Sequence, residues 1–344
     1  MARVLVGVLR RRAKELRLEK DADALGIDVL VFSPRDVHWP ARRADGYLYS
    51  RGRWTKTRCP LPGAVYNRIY TARDQAAARL EEVLGRKAVF NRVTWFDKWE
   101  VYSILRDSGV APALPETMPF SPACAGQMLA KHGKVIIKPR RGQFGKDICR
   151  IEATDSGYSL FKDLSIPKLT EPDAKKLLAA AGPLFAEKPF ILQQFIPFAR
   201  HTGRIFDVRL YVQKDARGNW QVTGGFCRVA VAGSYITNQS SELVGIGEML
   251  ARGAIEDRQL KAMQRLGLAA AAALEKRLGH LGEVCVDFCV DTGGSVWIIE
   301  VNGHTQKKLL LRLGDPQLER IRYYFPLRYA QHLAIAKNAY PKQD

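Results

Sequence analysis

Apolar residues recur along this chain in two rhythms. Unbroken runs at 2–9, 28–32, 64–66 and 88–90 predict strands buried on both faces, as in a parallel sheet. The first is followed by the bases of "RRRAK", which reads as a basic helix start. "RDQAAARLEEVL" (73–84) has helical spacing, and "GYLYSRGRWTKTR" (46–58) alternates like a surface hairpin. A helix is predicted at 97–108, stopped by Gly109, and another at 122–132, with the extended "VAPALPETMPF" between them. "KVIIKPRRGQFGKDICRIE" (134–152) predicts two strands around a glycine-bearing loop, and 164–189 a helical core among prolines. Strands follow at 190–196, 205–213 and 219–231, then a long helix near 256–278 and a C-terminal helix near 315–335. No long repeat occurs; the one echo is "VYNR" (65–68) and "VFNR" (89–92).

The strand pair in "GEVCVDFCVDTGGSVWIIEVNGH" (282–304) raises a question. With Gly293-Gly294 as a two-residue turn, Val286 faces Val301, Phe288 faces Ile299 and Val290 faces Trp297, an apolar face. On the other face Cys289 meets Ile298, Cys285 meets Asn302, and Asp287 lands opposite Glu300. Like charges directly opposed across a sheet are destabilising. A bound divalent cation turns that repulsion into shared coordination. Asp287, Glu300 and Asn302, all oxygen-bearing on one face, therefore predict a Mg²⁺ site completed by substrate phosphates. The alternative is a slipped register with both acids solvated.

Composition sets the frame. The 344 residues are enough for two or three packed lobes, and 47% hydrophobic with 26% charged residues is ordinary for a soluble globular chain. The richest apolar run, "LGLAAAAAL", is too short to span a membrane, and the first run is too short for a signal peptide. Six cysteines without metal spacing predict reduced, mostly buried thiols and a cytoplasmic location. The net charge is +19, and residues 1–95 hold 20 Lys or Arg against 10 Asp or Glu. Such a field suits nucleotides, acidic peptides or nucleic acid, but no nucleic-acid-binding motif is present. A solvated basic surface is the alternative.

In "VIIKPRRGQFGKDI" a strand delivers Lys138, and Gly142 and Gly145 free the next turn. Exposed amides there can approach phosphate, with Lys138 as a point charge. The spacing is not that of a Walker loop. Asn67-Arg68 and Asn91-Arg92 fall at the carboxyl ends of predicted parallel strands, where α/β sheets bind ligands. Arg68 is a candidate holder of an anionic acceptor, or else part of a structural salt bridge. His304 reads as a loop histidine bonded to backbone or as a proton shuttle. Cys285 and Cys289 read as core.

"DKWEVYSIL" (97–105), "ILQQFIPF" (191–198), "DVRLYV" (207–212) and "CRVAVAGSYITN" (227–238), in this order with the Asp287, Glu300, Asn302 set, resemble the ATP-grasp superfamily, most closely its YheC/YheD branch of endospore-coat-associated proteins. The resemblance implies an α/β ATP-grasp fold, a parallel-sheet pre-ATP-grasp domain followed by two α+β lobes enclosing the nucleotide. The expected division is 1–95 for the first domain and 96–335 for the ATP-grasp domain, with lobes of about 115–195 and 196–335 and a tail at 336–344. It implies that Lys98 and Lys138 bind ATP phosphates, and that Gln193, Gln194, Phe195 and Ile196 hold adenine through backbone groups. Asp207 and Arg209 match a D-x-R strand near the nucleotide, and Arg228 a phosphate-facing arginine. Asp287, Glu300 and Asn302 match the ligands of Mg²⁺, for which Mn²⁺ can substitute. Lys138, Arg209, Arg228 and Asn302 are the expected catalytic set. Related ligases often follow the asparagine with a closely spaced Gly-Gly; here Asn238 precedes "QSSELVGIG", a departure on the acceptor side. The implied activity is ATP- and Mg²⁺-dependent activation of a carboxylate as acyl phosphate for attack by an amine. The substrates could include an acidic peptide or coat protein, in the cytoplasm or at the spore coat. The alternative is an ATP-binding, non-catalytic coat-assembly protein.

Overall fold

A computed structural model describes residues 3–72, 75–142, 144–162, 166–238 and 240–339. Among them the strands form three sheets. The first contains β1 (Leu5–Leu9), β2 (Asp28–Phe32), β3 (Val37–His38), β4 (Arg43–Ser50), β5 (Arg53–Pro60), β6 (Ala64–Asn67) and β7 (Val89–Phe90). Its order is β3-β4-β2-β1-β6-β7, with β5 on β4. The four apolar runs are its parallel heart. The expected surface hairpin is β4–β5, turned at Arg51 and Gly52 with φ of 49° and 84°, the left-handed pair a two-residue hairpin demands. It is more than a surface feature, since β4 pairs with β2.

Two further expectations change here. The basic run after β1 is not helical: α1 spans Glu19–Leu25. Bases three and four residues apart in 10–17 would repel on a helix face. The helix expected at 73–84 is α2 (Gln75–Leu84), its first two positions lying outside the described residues.

After α3 (Lys98–Arg106) comes the second sheet: β8 (Thr117–Pro119), β9 (Lys134–Pro139), β10 (Cys149–Thr154), β11 (Gly157–Lys162), β12 (Pro167–Glu171) and β13 (Phe190–Gln194). Its order is β12-β11-β10-β9-β13-β8, and α4 (Pro122–His132) and α5 (Ala174–Phe185) share its core. The third sheet contains β14 (Arg200–His201), β15 (Arg204–Lys214), β16 (Trp220–Ala230), β17 (Ser240–Gly245), β18 (Glu283–Val290) and β19 (Val296–Asn302). The order is β17-β16-β15-β18-β19 with β14 on β15. It is backed by α7 (Asp257–Leu278), which follows the short α6 (Ile246–Ala251).

The helix expected at 315–335 is split into α8 (Pro316–Glu319) and α9 (Tyr324–Ala339). Pro326 fits only the first turn of a helix, so α9 starts just before it. Leu327, Ala330 and Ala334 of α9 lie in one core with Val6, Val8 and Val29. The last helix thus returns to the first sheet and extends into the stretch expected as a tail; 340–344 lie outside the described residues.

The β18–β19 register is as expected where it matters and shifted where it does not. Cys285 pairs with Asn302, Val286 with Val301 and Asp287 with Glu300. Then Phe288 pairs with Ile298, Cys289 with Trp297 and Val290 with Val296, leaving Ile299 as a bulge. The Gly293-Gly294 turn is also corrected. Asp291 N donates to Ser295 O at 2.9 Å, and Asp291 Oδ1 accepts from Gly293 N and Ser295 N at 2.9 and 2.8 Å. That side chain stabilises a longer loop, and the bulge absorbs the one-residue difference.

Candidate active site

A cavity of about 600 Å³ lies between the second and third sheets. The structure brings together every residue singled out above for nucleotide, metal or chemistry: Lys98, Lys138, Gly142, Gly145, Gln193, Gln194, Phe195, Ile196, Asp207, Arg209, Arg228, Asp287, Glu300 and Asn302 all line it.

The two lysines converge because α3 is fastened to the end of β9. Asp97 caps α3, accepting from Trp99 N and Glu100 N at 2.9 and 3.2 Å. Arg140, just past β9, donates Nε to both Asp97 oxygens at 3.0 and 3.1 Å. Lys98 N donates to Arg140 O at 2.9 Å. Lys98 Nζ then stands 3.1 Å from Glu300 Oε1. Buried Lys138 points its Nζ at the carbonyl of the bulged Ile299, 3.4 Å away. Burial lowers the Lys138 pKa to about 8, with Glu300 opposing and Lys98 reinforcing the shift. Burial pushes Glu300 up, but Lys98 and Lys138 outweigh it and hold the carboxyl below its ordinary value.

Across the third sheet, register pairs of opposite charge are buried together. Asp207 pairs with Arg228 and Arg209 with Asp287. Arg209 donates Nε and Nη2 to the two oxygens of Asp287, each at 2.7 Å. Arg228 donates Nε to Asp207 at 2.8 Å and Nη2 to Asp287 at 3.1 Å, and Thr237 donates its hydroxyl to Asp207. Forked, charge-assisted bonds of this kind offset the cost of taking the ions out of water. Burial opposes ionisation of Asp287, yet the two guanidinium groups hold its carboxyl well below the usual range. One atom is left over: Arg209 Nη1 is buried without a hydrogen-bond partner. A buried charged donor is costly to leave without a hydrogen bond, and Arg209 is among the residues lining the cavity.

The acids that seemed to repel are therefore each neutralised by the protein's own cations. The donor chemistry still fits a hard cation. Among the described residues the second oxygen of Glu300 and the amide of Asn302 make no hydrogen bond, and no cluster of three His, Cys, Asp or Glu exists. Glu300, Asn302 and the remaining lone pairs of Asp287 could hold Mg²⁺ only with phosphate or water completing the shell, the usual habit of that ion.

The adenine expectation changes in detail. Gln194 N already donates to Glu116 O at 2.8 Å, and Phe195 N to Lys134 O at 3.4 Å. Gln193 spends its side chain on Thr117 at 3.1 Å. Among the described residues the Ile196 N–H has no backbone partner, so it is the donor this segment offers. Gly145 needs its glycine, with φ of +70° and Asn238 Cβ 3.0 Å from where a side chain would begin; Gly142 has an ordinary φ.

Several cavity residues were not anticipated. Arg150 lies over Phe161 and Tyr235 at 4.3 and 4.8 Å, its Nε buried and unpartnered, and Trp95 Nε1 is in the same condition. Orphaned donors are visible only once neighbours are placed. Their one sequence signal was position, Arg150 following the glycine loop. Among the described residues the His304 ring makes no hydrogen bond to backbone, and it lines the cavity. Its ring meets Tyr70 edge-on at 5.1 Å, and burial, reinforced by Arg68, lowers its pKa to about 4. Cys285 and Cys289 are buried free thiols with pKa values raised by burial, as core residues should be. After Asn238 the chain forms β17, and Gln239 lies outside the described residues.

Three sheets with a charged cleft between the second and third define the ATP-grasp fold. It is shared with VanG D-Ala:D-Ser ligase from Enterococcus faecalis, which is 14% identical, with a TM-score of 0.55 and coverage of 96% of this chain and 100% of that one. The model for YheC/D like ATP-grasp proteins matches residues 86–333, and the chain belongs to that family. Two relatives from Bacillus subtilis (strain 168) are similar along most of their length. Endospore coat-associated protein YheD is 25% identical over 317 residues, covering 88% of this chain and 70% of YheD. Endospore coat-associated protein YheC is 22% identical over 338 residues, covering 92% and 91%. Among the described residues no helix is long and apolar enough to cross a membrane.

Proposed function

We propose that this chain is an ATP- and Mg²⁺-dependent ligase joining a carboxylate to an amine. The observation that carries the reading is the set Lys98, Lys138, Arg209 and Arg228 lining one cavity together with Asp287, Glu300 and Asn302, with Arg209 Nη1 buried and unpartnered. Four cations converging on one cavity from both of its walls suit a triphosphate, and phosphoryl transfer needs positioning and charge neutralisation more than a protein nucleophile. An acceptor carboxylate oxygen attacks the γ-phosphorus, the bond to the β-phosphate oxygen breaks, and ADP departs. The amine then attacks the acyl carbon, phosphate leaves, the nitrogen gives up a proton, and an amide remains. Lys138, Arg209 and Arg228 hold and screen the phosphoryl oxygens, and Asn302 orients them beside Glu300. Mg²⁺ bound by Asp287, Glu300 and Asn302 would neutralise phosphate charge.

In this reading residues 1–95 form the acceptor-side domain and 96–335 the ATP-grasp domain. Adenine lies against Gln193, Gln194, Phe195 and Ile196, with Asp207 fixing Arg228. The reaction would run in the cytoplasm of a sporulating cell or at its coat, and the shared name of the two relatives, endospore coat-associated protein, supports the coat. The test is phosphate release from ATP and Mg²⁺ across a panel of acids and amines. ATP binding with no acid–amine pair stimulating release would favour a non-catalytic coat-assembly role.

A further inference from the structure

A second like-charged pair stands at the switch point of the first sheet. From β1 the chain runs to β2 on one side, and later returns to β6 on the other, so the carboxyl ends of β1 and β6 mark the switch point at which α/β sheets bind ligands. Leu9 pairs with Asn67, so the next residues, Arg10 and Arg68, emerge side by side. Parallel neighbours of like charge repel; Tyr66, Tyr323 and the nearby Glu283 favour the charged form of Arg68. Among the described residues neither arginine has a carboxylate partner. Arg68 donates Nη1 to the Tyr323 hydroxyl at 3.0 Å and lies over the Tyr66 and Tyr323 rings at 5.7 and 5.5 Å. The nearby carboxylate, Glu283, is already engaged by Lys307, Gln213, Thr305 and Tyr66. Arg10 Nη1 is buried with no partner at all. Burial disfavours the charged form of Arg10, and Arg68 adds to this. Arg68 in turn acts on His304, a residue of the ATP cavity wall.

We propose that Arg10 and Arg68 form a subsite for a second carboxylate of the acceptor, distinct from the one activated. This rests on the ligase reading and specifies its substrate class: an acidic chain, with one carboxylate at the phosphates and another held behind His304. The Arg10 guanidinium supplies the vacant donor, in the forked geometry that carboxylates accept. Tyr323 and the Tyr66 ring hold the Arg68 guanidinium in place.

The test measures binding by calorimetry with ADP and Mg²⁺ present, using acetyl-triglutamate, acetyl-triglutamine and inorganic phosphate as probes. Wild type should bind the triglutamate at least about tenfold more tightly than the other two. Arg10→Gln should lose that margin and Arg10→Lys most of it, while melting temperature and ADP affinity report that each variant is folded. Equal binding of triglutamate and triglutamine, a variant that keeps the margin, or phosphate binding as tight as triglutamate would overturn the subsite. Failure of the ligase reading shows separately, as absence of ADP binding or of acid-stimulated turnover.

Discussion

Arg209 and Asp287, register partners on adjacent strands, meet through two parallel hydrogen bonds of 2.7 Å, and the third nitrogen of that guanidinium is buried without a hydrogen-bond partner. One residue thus holds a buried acid in place and keeps a donor in reserve. Arg209→Leu should destabilise the protein by about 3 kcal/mol, because it strips a buried carboxylate of its main partner. The double variant Arg209→Leu/Asp287→Leu should recover part of that loss, as read by urea denaturation. A double variant less stable than the single would mean the pair is not the stabilising unit.

Glu300→Gln tests the opposed acids. Sequence alone suggests that removing one carboxylate relieves repulsion and leaves the apo protein as stable or more so. The structure reverses this, since Glu300 is the counter-charge for Lys98 and Lys138. The apo melting temperature should fall, and the dependence of nucleotide affinity on Mg²⁺ should weaken by at least about tenfold. An unchanged Mg²⁺ dependence would remove Glu300 from the metal set.

The loop makes a contrast between two lysines. Lys138 is buried beside Glu300, whereas Lys146 is exposed at the cavity edge. Lys138→Ala should weaken ATP binding by at least about tenfold, and Lys146→Ala by about threefold or less. Equal losses would mean a general basic surface.

A pH effect should come from His280, which sits between β7 and α9. Nδ1 donates to Val89 O at 3.1 Å and Nε2 accepts from the Tyr329 hydroxyl at 2.6 Å. Burial lowers its pKa to about 4, below the unfolded value of 6.5. Its neutral form is favoured in the fold, so this contribution is complete above pH 6.5 and is lost as pH falls toward 4. The loss is at most on the order of 3 kcal/mol. Asp21, whose pKa burial raises to about 6, acts in the opposite sense over part of that range. Comparing the pH dependence of stability in wild type and His280→Gln isolates the histidine; identical slopes would exclude it.

The parts of the site readable in the sequence were those set by strand periodicity. Asp287, Glu300 and Asn302 share a face at any register that pairs the two acids, and Lys138 is placed by the strand that ends at Pro139. What stayed hidden depended on side chains closing local structure. Asp291 lengthens the turn, which forces the Ile299 bulge and aims that carbonyl at Lys138. Arg10 is one base in a run of three, and only the neighbouring strand shows it beside Arg68. The return of α9 to the first sheet is long-range packing that no local pattern encodes.

An acyl phosphate formed in the cavity would carry an oxygen of the acceptor carboxylate to the phosphate released. The most direct measurement follows the oxygen. An acid that stimulates phosphate release is labelled with ¹⁸O in its carboxylate, turned over with ATP, Mg²⁺ and an amine, and the released phosphate is analysed by mass spectrometry. Attack of the carboxylate on the γ-phosphorus predicts one ¹⁸O atom in each phosphate formed. Unlabelled phosphate, or label found in AMP, would rule out an acyl phosphate.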